Sequence, residues 1–278
     1  MSAAAIKTIL VTGGNAGIGF ALCRQLLVNH HCKVIMGSRN KERGESSIQK
    51  IITEHPETKD NLSLLQIDVS NDASVQEAAN YLKENNVQLY ALVNNAGVGL
   101  NAGGDILNVN FYGPKRCTDA FIDIIQERIV NVSSGSASMW LRNQNDDVKN
   151  LFTSKTSTFN ELKNAVEQHL PSASMSGYGL SKAGLTAYTI QQSIEFPNLI
   201  CTSLSPGFIQ TKMTDGFGAT LTPEEGTVSL IKCLFSNDVV SGYYYGSDGL
   251  RSPLTCTRDP GTPEYGGEEN PDPSKYNK

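Results

Sequence analysis

A tyrosine and a lysine stand four residues apart in the segment Ser176-Gly-Tyr-Gly-Leu-Ser-Lys182. On a helix, positions i and i+4 share a face, so the Lys182 ammonium can sit close beneath the Tyr178 hydroxyl. A free phenol titrates near pH ~10, too high for ready proton exchange at neutral pH, and a neighbouring cation stabilises the phenolate and lowers that value. Such a tyrosine can work as a general acid or base. Surface helices carry the same two residues by chance, so the pair acquires meaning only from the elements that place it.

The chain that must do so has 278 residues with 39% hydrophobic content, enough for a large buried core. No internal repeat or second domain is visible. The net charge of -5, from 23 basic and 28 acidic residues with no long run of either sign, leaves no electrostatic footprint for nucleic acid or an anionic membrane. The first seven residues are too poor in apolar side chains for a signal peptide, and no later apolar run approaches the ~20 residues that span a bilayer. The expectation is a soluble, cytoplasmic protein. Cys23, Cys32, Cys117, Cys201, Cys233 and Cys256 show no C-x-x-C spacing, which argues for reduced, mostly buried thiols. His30 and His31 beside Cys32 read as a polar helix end, because adjacent residues there project in different directions, and no metal is expected.

In chain order, Thr8-Ile-Leu-Val11 is a short apolar run followed at once by Thr12-Gly13-Gly14-Asn15-Ala16-Gly17-Ile18-Gly19 and an amphipathic stretch through Leu27. This predicts strand, glycine-rich turn, helix. Glycines there permit positive φ and close approach of a pyrophosphate, while the helix N-terminus presents free N–H groups to it. The second strand, Lys33 to Gly37, runs into Ser38-Arg39-Asn40, where an adenosine ribose would lie. An acid there selects NAD, and an arginine can pair with the extra phosphate of NADP. Gly37 to Asn40 holds no acid, which favours NADP(H) with Arg39 as phosphate partner; Arg43, one helical turn on, is either a second partner or a solvated charge. Lys41 to Thr53 and Ala73 to Glu84 read as helices, Leu62 to Ile67 as the third strand, and Leu89 to Val93 as the fourth. Asp68-Val69 ends the third strand, where Asp68 meets the adenine edge or caps a loop. Strand alternating with helix predicts an α/β fold with a parallel, doubly wound sheet.

Thr12-Gly-x-x-x-Gly17-x-Gly19, Asn94-Asn-Ala96-Gly97, Asn110, Ser133-Ser134 and Tyr178-x-x-x-Lys182 together resemble, in order and rough spacing, the short-chain dehydrogenase/reductase family. The likeness runs from Thr8 to about Tyr245. It implies a Rossmann-like sheet of about seven strands, a bound nicotinamide dinucleotide, and an Asn-Ser-Tyr-Lys catalytic set at the carboxyl ends of the strands. By that pattern Asn94 and Gly97 lie beside the nucleotide, Asn94 mainly stabilising the sheet, and Asn110 holds a water linking Lys182 to solvent. Ser134, after a fifth strand Arg128 to Val132, fixes the carbonyl of a small-molecule substrate, with Ser133 as the structural alternative. Tyr178 donates the proton, and Lys182 lowers its pKa and binds the nicotinamide ribose. After a sixth strand, Leu199 to Leu204, the loop Ser205-Pro206-Gly207-Phe208-Ile209-Gln210-Thr211 resembles the family's Pro-Gly loop, with the Ile209 backbone and Thr211 hydroxyl on the carboxamide. The activity implied is NADPH-dependent reduction of an aldehyde or ketone. The alternatives are oxidation of a secondary alcohol such as a sterol, retinoid or polyol, or a non-catalytic NADP sensor, which would not need Ser134, Tyr178 and Lys182 together.

Two intervals depart from the commonest pattern. Gly97 to Asn110 is short, which predicts a trimmed, more open loop. Ser134 to Tyr178 is long, and within it Thr158-x-x-Glu161 reads as a capping box, Phe159, Leu162, Val166 and Leu170 as an apolar helical stripe, and Pro171 as its end. Residues 135–177 thus resemble the helical insertion of the monomeric carbonyl reductases, implying a monomer. Met139 and Trp140 belong either to the pocket wall or to the insertion's core. A helix is expected from Thr222-Pro-Glu-Glu225 to Phe235 and a last strand over Gly242 to Tyr245; residues 246–278 are a Pro/Gly-rich tail without helix or strand pattern, wrapped on the domain or mobile.

Overall fold

The computed structural model describes residues 6–99, 105–170 and 177–277. Seven strands form one sheet: β1 (Thr8–Val11), β2 (Lys33–Ser38), β3 (Leu62–Gln66), β4 (Leu89–Asn94), β5 (Ile125–Val132), β6 (Ile200–Leu204) and β7 (Tyr244–Tyr245). Every pairing is parallel, in the order β3-β2-β1-β4-β5-β6-β7. The strands are short, nearly continuous apolar runs, as expected where helices cover both faces. Ile9 and Val11 join Leu22, Leu26, Leu230 and Leu234 on one face, while Leu10 and Leu92 join Val75, Ala79, Cys117 and Phe121 on the other.

The helices responsible are α1 (Gly17–Val28), α2 (Lys41–Glu54), α3 (Asp72–Glu84), α4 (Ile106–Asn110), α5 (Tyr112–Phe121), α6 (Gly135–Leu141), α7 (Asp146–Thr153), α8 (Phe159–His169), α9 (Tyr178–Glu195) and α10 (Val228–Phe235). The strand order reverses between β1 and β4, so the loops leaving those strands diverge and open a crevice at their carboxyl ends, where α/β sheets bind ligands. Among the described residues no helix is long and apolar enough to cross a membrane.

The insertion is helical: α8 starts on the Thr158–Glu161 capping box and buries Leu162, Ala165 and Val166. Its expected end at Pro171 lies outside the described residues. A third apolar cluster joins these side chains to Phe111, Phe152, Leu180 and Tyr188, so the insertion shares a core with α5 and α9. Trp140 belongs to that core, its ring 5.3 Å from Phe152 and 5.9 Å from His169, whereas Met139 is half exposed. The fifth strand begins at Ile125, three residues before the sequence suggests. The last strand is two residues rather than four, since Gly242 takes φ +85° and leaves extended geometry. The helix expected from Thr222 opens as a 3-10 turn over Glu225–Thr227 and becomes α-helical only at Val228. The tail is wrapped on the domain and carries a 3-10 turn, Pro273–Lys275, missed by pattern because it spans one turn. Arg251, its guanidinium 3.7 Å over the Tyr243 ring, and the Ser252 amide, donating to the Tyr244 carbonyl at 2.8 Å, pin it, and Tyr276 is 2% exposed.

Candidate active site

The glycine turn sits at the crevice because its backbone follows a path closed to other residues. Gly13 has φ +64°, and a Cβ there would lie 2.9 Å from the Ala96 Cα. The turn is tied down by Asn95, whose Nδ2 donates to the carbonyls of Thr12 (2.9 Å) and Gly13 (3.2 Å), while the Thr12 hydroxyl accepts from the amides of Asn95 and Ala96. Helices α2, α3, α4, α7 and α8 are each capped by an Asn, Asp or Thr side chain, but α1 is not, and its first turn has no acid. Its leading amides therefore face the crevice without a side-chain acceptor and carry the positive end of the helix dipole. That cradle fits the pyrophosphate of a dinucleotide.

Tyr178 is the first residue of α9 and Lys182 lies one turn on, 4% exposed. Helix α9 reaches the site because Gly179 lets it pack on α6: a Cβ there would be 2.9 Å from the Ser136 carbonyl oxygen and 3.1 Å from the Trp140 Cβ. This contact places the Ser134 hydroxyl beside the Tyr178 phenol, near enough to act on its pKa. Ser134 also caps α6, accepting from the Ser136 amide at 3.2 Å. Ser133 points the other way, donating to the Lys182 carbonyl (3.0 Å) and lying 2.7 Å from the Thr186 hydroxyl. The second serine is thus the one beside the phenol.

The lysine does not meet the tyrosine as the four-residue spacing suggests. Its Nζ donates to the Val132 carbonyl at 2.8 Å and lies 5.9 Å from the Tyr178 ring centroid. Burial raises the Tyr178 pKa above its ordinary value, and the nearby Ser134 hydroxyl only partly opposes this, so the expected depression is not met. Burial also lowers Lys182, to about 8. An ammonium in this neighbourhood favours a phenolate through space. The site therefore holds a protonated phenol with a cation placed to stabilise the anion left when the proton departs.

Asn110 is wholly buried, and its side chain is committed to protein: Oδ1 accepts from the Val98 amide (2.9 Å) and Nδ2 donates to the Val98 carbonyl (3.0 Å) and Ser181 hydroxyl (3.1 Å). A water on the route to Lys182 would have to use its backbone carbonyl. Position 114, whose amide would bond that carbonyl in a continuous helix, is a proline, and α4 and α5 part at Phe111. Asn110 Oδ1 and Lys182 Nζ converge on Gly97, where a Cβ would lie 3.3 and 3.5 Å from them.

A cleft of about 640 Å³ collects most of the remaining residues singled out in the sequence: Gly13 and Asn15 through Gly19, Arg39, Asp68 and Val69, Ala96 and Gly97, Tyr178 and Lys182, Pro206 and Thr211. Arg39 is 71% exposed with its Nε 4.0 Å from the Asp68 carboxylate. Six residues singled out in the sequence are not on the cleft wall, Asn110 and Ser134 described above and four more, while Ser133 is on it. Ser38 is buried and donates to the Asn40 carbonyl. Asn94 lies within the sheet, donating to Asn131 at 2.9 Å, because it still belongs to β4. Gly207 turns away at φ +96°, and Ile209 packs inward, paired with Leu221. Asn95, Lys212 and Met213 line the cleft unanticipated. Asn95 was legible as the first residue past the strand; Lys212 and Met213 carry no local signal. A larger groove, about 820 Å³, between α6, α7 and the tail lacks the glycine turn and the phenol.

The short chain dehydrogenase family model matches residues 7–145. The chain is 30% identical to (+)-neomenthol dehydrogenase of Arabidopsis thaliana over 84% of this chain and 97% of that one. It is 29% identical to carbonyl reductase [NADPH] 1 of Mus musculus, covering 78% and 86%. The solved structure of salutaridine reductase from Papaver somniferum superposes with a TM-score of 0.75 at 26% identity, covering 86% and 99%. With the parallel sheet, uncapped glycine turn and Ser-Tyr-Lys cluster, these likenesses define a nicotinamide-dependent oxidoreductase. The chain belongs to the short-chain dehydrogenase/reductase family.

Proposed function

We propose that the protein reduces an aldehyde or ketone to an alcohol with NADPH. The observation that carries this reading is the placing of Tyr178 beside Ser134 and the buried Lys182, at the cleft that opens on the uncapped α1. When bound, the reduced nicotinamide supplies the hydride. Ser134 and Tyr178 hold the carbonyl oxygen between two hydroxyl donors, which orients the carbon and polarises the bond. As negative charge grows on that oxygen, the Tyr178 hydroxyl gives up its proton, and Lys182 stabilises the phenolate left behind. Burial keeps Tyr178 protonated beforehand, the form a donor needs.

Arg39 supports NADPH over NADH, since it stands at the end of β2 with no acid between Gly37 and Asn40. The carbonyl reductase relative carries NADPH in its name. A second reading, oxidation of a secondary alcohol, is favoured by the name of the neomenthol dehydrogenase relative and would run the same proton path backward. Following NADPH absorbance with menthone, cyclohexanone and benzaldehyde, and NADP reduction with the matching alcohols, separates the two.

The protein is further read as a cytoplasmic monomer. All six cysteines are free and buried, as suits a reducing compartment. Helix α8 covers apolar surface of α5 and α9 that would otherwise be open to a second subunit. A dimer mass in sedimentation at micromolar concentration would contradict the monomer.

A further inference from the structure

Around Ser134 lie further hydroxyls that the proton path does not use. The Ser205 hydroxyl, just past β6, accepts from the Gly135 amide at 3.1 Å and from the Gly207 amide at 3.3 Å. Gly135 is the residue after Ser134, and Gly207 belongs to the Pro-Gly loop, so one oxygen joins the two loops that flank the cleft. Tyr244 of β7 is 5% exposed and Ser138 of α6 is 2% exposed. Ser138 donates to the Pro253 carbonyl in the tail at 3.1 Å. The tail also grips Tyr244 directly, the Ser252 amide donating to the Tyr244 carbonyl at 2.8 Å.

Two amides fill both lone pairs of Ser205, and the Ser138 hydrogen goes to the Pro253 carbonyl. Removing the Ser205 oxygen leaves two loop amides without their acceptor, and removing the Ser138 hydroxyl leaves the Pro253 carbonyl without its donor.

We propose that Ser205 and Ser138 are positioning residues that hold the Ser134 turn against Tyr178 and anchor it, with the Pro-Gly loop, to the C-terminal tail. The proposal rests on Ser134 and Tyr178 being the reacting pair. The tail is then part of the active-site scaffold rather than a trailing segment.

Two measurements test it. Residue-resolved hydrogen exchange needs no turnover: Ser205→Ala should speed exchange of the Gly135 and Gly207 amides, and Ser138→Ala that of the Ser252 amide beside the freed Pro253 carbonyl, while Ser205→Thr, which keeps the hydroxyl, should restore protection. Unchanged exchange at Gly135 and Gly207 in Ser205→Ala would overturn the brace whatever the protein catalyses. Single-turnover NADPH oxidation by menthone, or by benzaldehyde should it be the faster substrate, reads the link to chemistry. Ser205→Ala and Ser138→Ala should each slow it roughly 10- to 100-fold, the scale expected when a reacting group is misplaced by about 1 Å. In a Ser134→Ala background the same changes should add little, because the group they position is gone. Equal losses in both backgrounds would mean general damage and contradict the proposal. A Ser134→Ala variant as fast as the wild type would instead sink the assignment of Ser134, leaving the exchange result to judge the brace.

Discussion

Lys182 donates its Nζ hydrogen to the Val132 carbonyl at 2.8 Å and not to Tyr178, four residues before it on the same helix. The lysine is thus held from the sheet side, at the end of β5, and acts on the phenol through space. Its folded pKa of about 8 lies below the ordinary 10.5, so the folded chain binds that proton less tightly than the unfolded chain does. The cost of burying the charge is present in full below pH 8 and is relieved as pH rises through 8 toward 10.5. Compared with Lys182→Met, the wild type should gain stability over that window by up to about 3 kcal/mol, read from urea midpoints at several pH values. A stability difference that stays flat would contradict the burial account. In kinetics the cation is lost above the same value, so kcat/KM for NADPH, which reports the free enzyme, should fall with a midpoint near pH 8.

Arg39 leans toward Asp68 at 4.0 Å while most of its surface stays in solvent. A phosphate group offers it a stronger, bidentate partner than one carboxylate oxygen at that distance. Arg39→Asp should therefore raise the KM for NADPH by about 10- to 100-fold while leaving that for NADH within a few-fold, the scale of one or two charge-assisted hydrogen bonds. An unchanged ratio of the two constants would place the phosphate elsewhere.

Asn110 clamps Val98 through both backbone groups in a buried setting. Asn110→Ala strands that amide and that carbonyl, so the loss should be about 2–3 kcal/mol of stability by urea unfolding. Because the same side chain steadies Ser181 on the first turn of α9, kcat should fall as well. A fully stable variant would mean that the Val98 loop finds other partners.

The sequence showed clearly what depends on local pattern. The glycine turn between β1 and α1, the Thr158–Glu161 cap of α8 and the Tyr178–Lys182 spacing are all short-range signals, and the sheet order follows from repeated strand and helix. What stayed hidden depends on groups distant in the chain. Nothing near Lys182 says that its partner is the Val132 carbonyl, 50 residues away. Side-chain chemistry alone could not separate the roles of Ser133 and Ser134; the direction of β5 does, sending one hydroxyl under α9 and the other toward Tyr178. Asn94 and Asn95 divide similarly, the first still inside the strand and the second free to hold the turn. The two-residue β7 and the one-turn helix in the tail are too short to leave a periodic trace.

The central claim is that the Tyr178 hydroxyl is the proton donor in an NADPH-dependent carbonyl reduction. The most direct test compares wild type and Tyr178→Phe for NADPH binding and for turnover of menthone, cyclohexanone and benzaldehyde in parallel. The account predicts that the wild type consumes NADPH in step with alcohol formed, and that Tyr178→Phe binds NADPH with near wild-type affinity but turns over at least about 100-fold more slowly, the usual range for loss of a general acid. Tight NADPH binding by a wild type that reduces none of the three, or undiminished turnover by Tyr178→Phe, would contradict it.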